Sequence, residues 1–206
     1  MASYYIFSYE DNYINDISLS RDQLKRLSSY KFLSDRENYI SRHYRLNKLL
    51  TEKYNIKAEI SYDGYGRPFI QSSDLNISLS YSDDFFVIAT SVNKLVGIDI
   101  EKIRDIDNLE QQALIFMNDD ELSFWRKSND KISLFYHFWT AKEAILKALG
   151  KGFLFEPKKL TINFIGRKIT ANILGRDLDS LEINYEKKDN YLICNAQIPK
   201  DIIKLW

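Results

Sequence analysis

The sequence predicts an α+β protein of two similar halves, each an antiparallel sheet packed with a long helix. Three observations predict it. A stretch with helical spacing followed by several short strand-like runs occurs twice along the 206 residues. Within each cycle the strand-like runs are separated by short turn-forming clusters, which suits antiparallel neighbours. An acidic linker, Arg104 to Asp107, separates the two cycles, so the lobes are read as residues 1–103 and 104–206.

Tyr4–Ser8 reads as an opening strand and Arg21–Leu27 as a short helix. Asp35–Tyr54 reads as a longer helix, with Ser34 as N-cap and Glu37 at the third position. Tyr39, Tyr44, Leu46 and Leu50 give it apolar packing material. Strands follow at Lys57–Ser61, Ile77–Ser80, Phe85–Ser91 and Leu95–Glu101. The turn Asp63-Gly64-Tyr65-Gly66-Arg67-Pro68 and the pair Asp83-Asp84 punctuate them. In the second half Asn108–Met117 and Asp119–Lys127 read as helices, and Ile132–Leu149 as a long helix closed by Gly150. Leu160–Phe164, Lys168–Leu174, Leu181–Glu186 and Tyr191–Ala196 complete the chain as strands. The turn Gly150-Lys151-Gly152 ends the helix and lets Phe153 turn inward.

Composition narrows the function. Lysine plus arginine and aspartate plus glutamate number 29 each, which argues against a general binder of nucleic acid or membrane surfaces. Cys194 is the only cysteine, so no intrachain disulfide is possible and a reducing compartment fits. No basic segment followed by an apolar run opens the chain, and no stretch approaches the roughly 18 apolar residues of a membrane span. These features predict a cytoplasmic, soluble protein. His43 and His137 lie in no metal-ligand or nucleophile–base pattern and read as structural or surface residues.

Two segments carry the chemistry. In Gly97-Ile98-Asp99-Ile100-Glu101, apolar residues alternate with Asp99 and Glu101, so both carboxylates project from one face of a strand. Like charges about 4 Å apart repel by roughly 4 kcal/mol at an effective dielectric near 20, so the pair calls for water or a cation between. In Trp139-Thr-Ala-Lys142-Glu143-Ala-Ile-Leu-Lys147, helical spacing puts Trp139, Glu143, Leu146 and Lys147 on one face with Lys142 beside it. Three oxygen acids with nearby lysines describe a Mg²⁺ site that handles a phosphorylated substrate. Trp139 reads as a packing anchor with one donor to satisfy.

These segments resemble the 4′-phosphopantetheinyl transferase family, in its two-lobed form. Its G-x-D-x-E segment stands here as Gly97 to Glu101, and its W-x-x-K-E-x-x-x-K helix as Trp139 to Lys147 before Gly150 and Gly152. Gly66-Arg67-Pro68 is similar to the family's G-(K/R)-P turn, and Asn76-Ile-Ser78-Leu79-Ser80 to its N-x-S-H-S strand. Tyr30 to Arg42 resembles its first-lobe helix. Order and spacing hold from about residue 30 to 153. One position departs: Leu79 replaces the family's histidine and removes a polar contact to coenzyme A.

The resemblance implies a pseudo-twofold architecture with the active site between the lobes, and a monomer. It implies transfer of the phosphopantetheine arm of coenzyme A to a serine of an acyl- or peptidyl-carrier protein, releasing 3′,5′-ADP. Asp99, Glu101 and Glu143 would hold Mg²⁺, and Glu143 would also take the serine proton, directly or through water. Lys147 would contact a coenzyme A phosphate, and Lys142 would either do the same or pair with an acid. Arg67 and Arg42 would reach the 3′-phosphate end, with Ser78 making a phosphate or backbone contact. Phe116, Met117 and Phe124 lie near the expected carrier-protein seat, at least two of them as core residues. Leu79 keeps open the alternative of a non-catalytic relative that binds coenzyme A or a carrier protein.

Overall fold

The computed structural model describes residues 3–9, 18–57, 59–71, 73–152, 155–165, 168–178 and 180–201. Phe153, expected to turn inward, lies outside them. The first half runs β1 (Ser3–Ser8), α1 (Arg21–Ser29), α2 (Leu33–Tyr54), β2 (Ile60–Tyr62), β3 (Pro68–Ile70), β4 (Asn76–Ser82), β5 (Phe85–Ser91) and β6 (Lys94–Lys102). The second runs α3 (Leu109–Phe116), α4 (Asp119–Arg126), α5 (Lys131–Leu149) and a 3₁₀ turn at Pro157–Lys159. It closes with β7 (Leu160–Ile165), β8 (Lys168–Ile173), β9 (Arg176–Asp177), β10 (Glu182–Lys188) and β11 (Tyr191–Pro199). Every strand pair among the described residues is antiparallel, as the short turns predict.

Two local expectations are corrected. The N-cap of α2 is Phe32 rather than Ser34, because the Arg36 amide already reaches the Phe32 carbonyl at 3.3 Å and no side chain caps the helix. The strand expected from Lys57 begins at Ile60. The chain before it ends α2, with Asn55 left-handed and the Ile56 amide on the Leu50 carbonyl at 3.0 Å. Ile60 then pairs with Ile70, which makes a short strand of Pro68–Ile70 where the sequence read only a turn.

Alternating apolar positions set the order of the layers. Leu46 and Leu50 of α2 bury against Ile77 of β4 and Phe86 and Ile88 of β5. The opposite face of β5, Val87 and Ala89, packs with Val96, Ile98 and Ile100 of β6 and Tyr191 and Ile193 of β11. The far face of β11, with Leu192, Cys194 and Ala196, shares a core with Phe138, Ala141, Ala144 and Ile145 of α5. Through the molecule the sequence is therefore α2, sheet β1-β5-β4, sheet β10-β11-β6, α5. Thus β6, the last strand of the first half, hydrogen-bonds along its length to β11 of the second, from Lys94↔Pro199 to Lys102↔Tyr191.

Gly97 is the point of closest approach. A Cβ there would lie 1.8 Å from the Ala144 carbonyl oxygen and 2.5 Å from the Ala148 amide nitrogen. Only a residue without a side chain lets the α5 backbone lie directly on β6. That contact sets α5, with Glu143 and Lys147, beside Asp99 and Glu101.

Candidate active site

Three serines join the two sheets along one edge. Ser78, Ser80 and Ser82 alternate on β4 and therefore face the same way. Ser78 Oγ accepts from the Ile98 amide and Ser82 Oγ from the Lys102 amide, both at 3.1 Å. Between them Ser80 Oγ donates to Asp99 Oδ1 at 2.7 Å, and Ser82 Oγ donates to Glu101 Oε2 at 3.2 Å. The acids of β6 are thus oriented by hydroxyls of β4.

Asp99 is buried and faces α5. Its Oδ1 also accepts from Lys147 Nζ at 2.6 Å, while its buried Oδ2 has no hydrogen-bond partner among the described residues. The Lys147 ammonium spends its other donors on Ser80 Oγ at 2.9 Å and the Ile98 carbonyl at 3.3 Å. Glu101 Oε1 accepts from the Trp139 indole at 3.1 Å. Trp139 also meets Phe116 edge to face, so its packing and its donor both serve to hold Glu101. Burial, then the charge of Asp99, pushes the Glu101 carboxyl up, against the indole, Ser82 and Lys147. Glu143 is pushed up to about 7, chiefly by burial; Lys147 opposes this while Asp99 and Glu101 add to it. The three carboxylates therefore feel one another.

Glu143 and Lys147 form part of the wall of a cavity of about 220 Å³ shared with Arg26, Arg42, Arg67, Ser78 and Leu79. Arg67 donates to Asn76 Oδ1 at 2.9 Å, and burial draws its guanidinium below the ordinary arginine value against the pull of Asp63. Gly150 and Gly152, both left-handed, complete this wall, and a Cβ on Gly150 would lie 3.3 Å from Arg67. Arg42 is buried, donates to the Tyr9 hydroxyl and lies 4.0 Å over the Tyr81 ring. His43 is buried at the same wall between the Gln23 amide and the Tyr62 hydroxyl. Burial, then Arg42 and Arg26, pulls its pKa down to about 3, so the ring is neutral.

Most of the expected site residues come together. Arg42, Arg67, Ser78, Glu143 and Lys147 line the cavity, and Lys147 connects it to Asp99. Ser78 makes the backbone contact. Lys142 does not join them: its side chain is 2% exposed and its ammonium is held by Glu121 at 2.7 Å and the Phe116 and Pro157 carbonyls at 2.9 Å. One position on a helix is about 100°, so Lys142 points away from the face that carries Glu143. Of the alternatives left for it, pairing with an acid is the one observed. Phe116 and Met117 are core residues, whereas Phe124 is 48% exposed.

Sequence reasoning missed four contributors: Ser80, Ser82, Trp139 as the holder of Glu101, and Arg26. The serines were legible, since their spacing of two matches that of Asp99 and Glu101. Arg26 left no signal, because its approach depends on how α1 lies against β2.

The donor set suits a hard divalent cation, being all oxygen, with the buried Asp99 Oδ2 left without a hydrogen-bond partner among the described residues. Among the described residues no three His, Cys, Asp or Glu side chains are gathered as a metal-ligating group.

Sequence comparison with known proteins points to one family. A profile described as the 4′-phosphopantetheinyl transferase superfamily matches residues 95–196, which contain both acidic motifs. The 4′-phosphopantetheinyl transferase gsp of Aneurinibacillus migulanus is 32% identical over 66% of this chain and 57% of its own. HetI of Nostoc, also a 4′-phosphopantetheinyl transferase, is 29% identical over 66% of this chain and 61% of its own. The chain thus spans little more than half the length of the curated relatives it matches. A holo-[acyl-carrier-protein] synthase of Thermotoga maritima superposes with a TM-score of 0.45 at 17% identity, over 52% of this chain and 64% of that one. Fold and site define an α+β protein with a cationic cleft floored by acids. The chain belongs to the 4′-phosphopantetheinyl transferase superfamily.

Proposed function

We propose that this chain transfers the 4′-phosphopantetheine arm of coenzyme A to a serine of an acyl- or peptidyl-carrier protein, releasing 3′,5′-ADP. The observation that carries the reading is the cavity in which Arg26, Arg42, Arg67 and Lys147 face a single carboxylate, Glu143, beside Asp99 and Glu101. Such a lining suits a polyanionic nucleotide at one end and phosphoryl chemistry at the other. Residues 1–103 and 104–206 would act as two lobes of a cytoplasmic monomer, with β6 shared between them.

In this reading the serine oxygen forms a bond to the β-phosphorus of coenzyme A as the pyrophosphate P–O bond breaks and 3′,5′-ADP departs. Glu143, at the cavity wall, takes the serine proton directly or through water. Asp99, Glu101 and Glu143 would hold Mg²⁺, which neutralises pyrophosphate charge when bound. Lys147 reaches a phosphate oxygen by giving up a hydrogen bond, since its three donors are engaged within the protein. Arg67 and Arg42 supply fixed positive charge along the nucleotide.

The test is intact-mass spectrometry of several apo carrier proteins incubated with the protein, coenzyme A and Mg²⁺. A gain of one phosphopantetheine, abolished by a chelator, supports the reading. Asp99→Asn and Glu143→Gln should each slow transfer by roughly a hundredfold or more with the fold intact; full activity in either removes the metal assignment. Leu79, apolar at the cavity wall, favours a second reading, a binder without transfer. Coenzyme A binding with no product on any carrier would select it.

A further inference from the structure

Lys147 is the internal counter-charge of the acidic cluster. Its ammonium donates to Asp99 Oδ1 at 2.6 Å, to Ser80 Oγ at 2.9 Å and to the Ile98 carbonyl at 3.3 Å. Ser80 Oγ in turn donates to the same Asp99 oxygen at 2.7 Å, so the three groups close a triangle. The pair lies mostly inside the protein, with the Asp99 side chain 4% exposed and that of Lys147 25%. Burial raises the Glu101 and Glu143 carboxyls, and the Lys147 charge opposes both shifts. One ammonium therefore acts on three carboxylates.

The same carboxylates would hold a divalent cation, and the same ammonium would meet a phosphate. The two oxygens of Asp99 share one negative charge. A divalent cation on Oδ2, which has no hydrogen-bond partner among the described residues, would take up that charge and repel the ammonium on Oδ1. The lysine is able to leave. It lies in the last turn of α5, lines the cavity and carries its charge on a flexible stem.

We propose that a divalent cation displaces Lys147 from Asp99, and that the ammonium so released is the one that meets the coenzyme A phosphate. The proposal rests on the transferase reading, which brings cation and coenzyme A to this site. Before the exchange Lys147 opposes the cation; after it, Lys147 stabilises coenzyme A. Metal and nucleotide are thus coupled through a side chain of the protein as well as through their own contact.

Mn²⁺ is the probe, a cation that carboxylates bind as they do Mg²⁺ and that paramagnetic resonance reads directly. With no coenzyme A present, Lys147→Met should bind Mn²⁺ about tenfold tighter than wild type, because the competing charge is gone. Arg67→Met removes a cavity cation hydrogen-bonded to Asn76 and should change that affinity less than about threefold. Calorimetry of coenzyme A, without carrier protein, should show Lys147→Met losing less than about twofold in affinity without Mn²⁺ and about tenfold with it. By linkage, the two proteins should then bind Mn²⁺ about equally once coenzyme A is bound. In wild type, acetic anhydride labelling read by peptide mass spectrometry should modify Lys147 several-fold faster after Mn²⁺ is added, with Lys142 unchanged in the grip of Glu121. Unchanged or weaker Mn²⁺ binding by Lys147→Met, an equal gain in Arg67→Met, or labelling of Lys147 unmoved by Mn²⁺ overturns the exchange and leaves the transferase reading standing. Exchange without modification of any carrier overturns the transferase reading instead. Wild type that binds no Mn²⁺ overturns the exchange and the metal assignment together. Should Lys147→Met fail to fold, the labelling of wild type decides.

Discussion

At the scale of single residues, the buried polar groups divide into those that serve the cavity and those that hold it up. His43 belongs to the second kind. Its pKa near 3 lies below the ordinary imidazole value of 6.5, so the folded state binds fewer protons than the unfolded one between those limits. Stability is therefore full above about pH 6.5 and falls as the pH drops toward 3. By pH 5 the loss from this group should be about 2 kcal/mol, at ~1.4 kcal/mol per pH unit. Urea denaturation of wild type and His43→Gln at pH 7 and pH 5 checks it: because the raised Glu143 carboxyl shifts stability the opposite way over the same range, the wild type should lose more than the variant by about this amount, and an equal pH dependence in both overturns the role of His43. Lys142 and Glu121 are the second such group. Burial pushes the Glu121 carboxyl up and the Lys142 amine down, and their attraction opposes both shifts. Removing one partner leaves a buried charge, so Lys142→Met should cost about 3–5 kcal/mol. Combining it with Glu121→Gln should cost less than the two single losses added together, as a double-mutant cycle would read.

At the scale of elements, the site is a consequence of how α5 lies on β6. Gly97→Ala forces a methyl into the Ala144 carbonyl, which neither backbone can avoid without moving. We expect a loss of about 3 kcal/mol or more, roughly 6–12 °C in Tm, with transfer falling further because Glu143 and Lys147 shift together. Wild-type stability in this variant would show that α5 is not held where it is by this contact. Much of this was legible: the alternation in Val96–Glu101, the helical spacing of Trp139–Lys147 and the stop at Gly150 each follow from local chemistry. The reading failed where a tertiary partner decides. Lys142 adjoins Glu143 in sequence, yet its direction is chosen by Glu121, which the Ile162 amide also claims at 2.7 Å. The strand at Pro68–Ile70 likewise depends on its pairing with Ile60–Tyr62, which no local pattern reveals.

At the scale of the whole molecule, the two halves share a strand. Because β6 precedes the acidic linker yet pairs with β11, residues 104–206 alone would expose an unpaired edge of β11. The chain should unfold in one calorimetric transition, and the separate halves should aggregate or remain unfolded. Two transitions, or a stable isolated half, would show the lobes to be independent. The shared strand left no sign in the sequence, since backbone pairing between Lys94–Lys102 and Tyr191–Pro199 spans nearly a hundred residues. The serine edge has a mechanical consequence. Ser78, Ser80 and Ser82 meet β6 at every second position, so a slip of one residue would set Ile77, Leu79 and Tyr81 against the Ile98 and Lys102 amides. Sliding β4 along β6 would break these bonds together, so the serine edge locks the register that keeps Asp99 and Glu101 facing the cavity side.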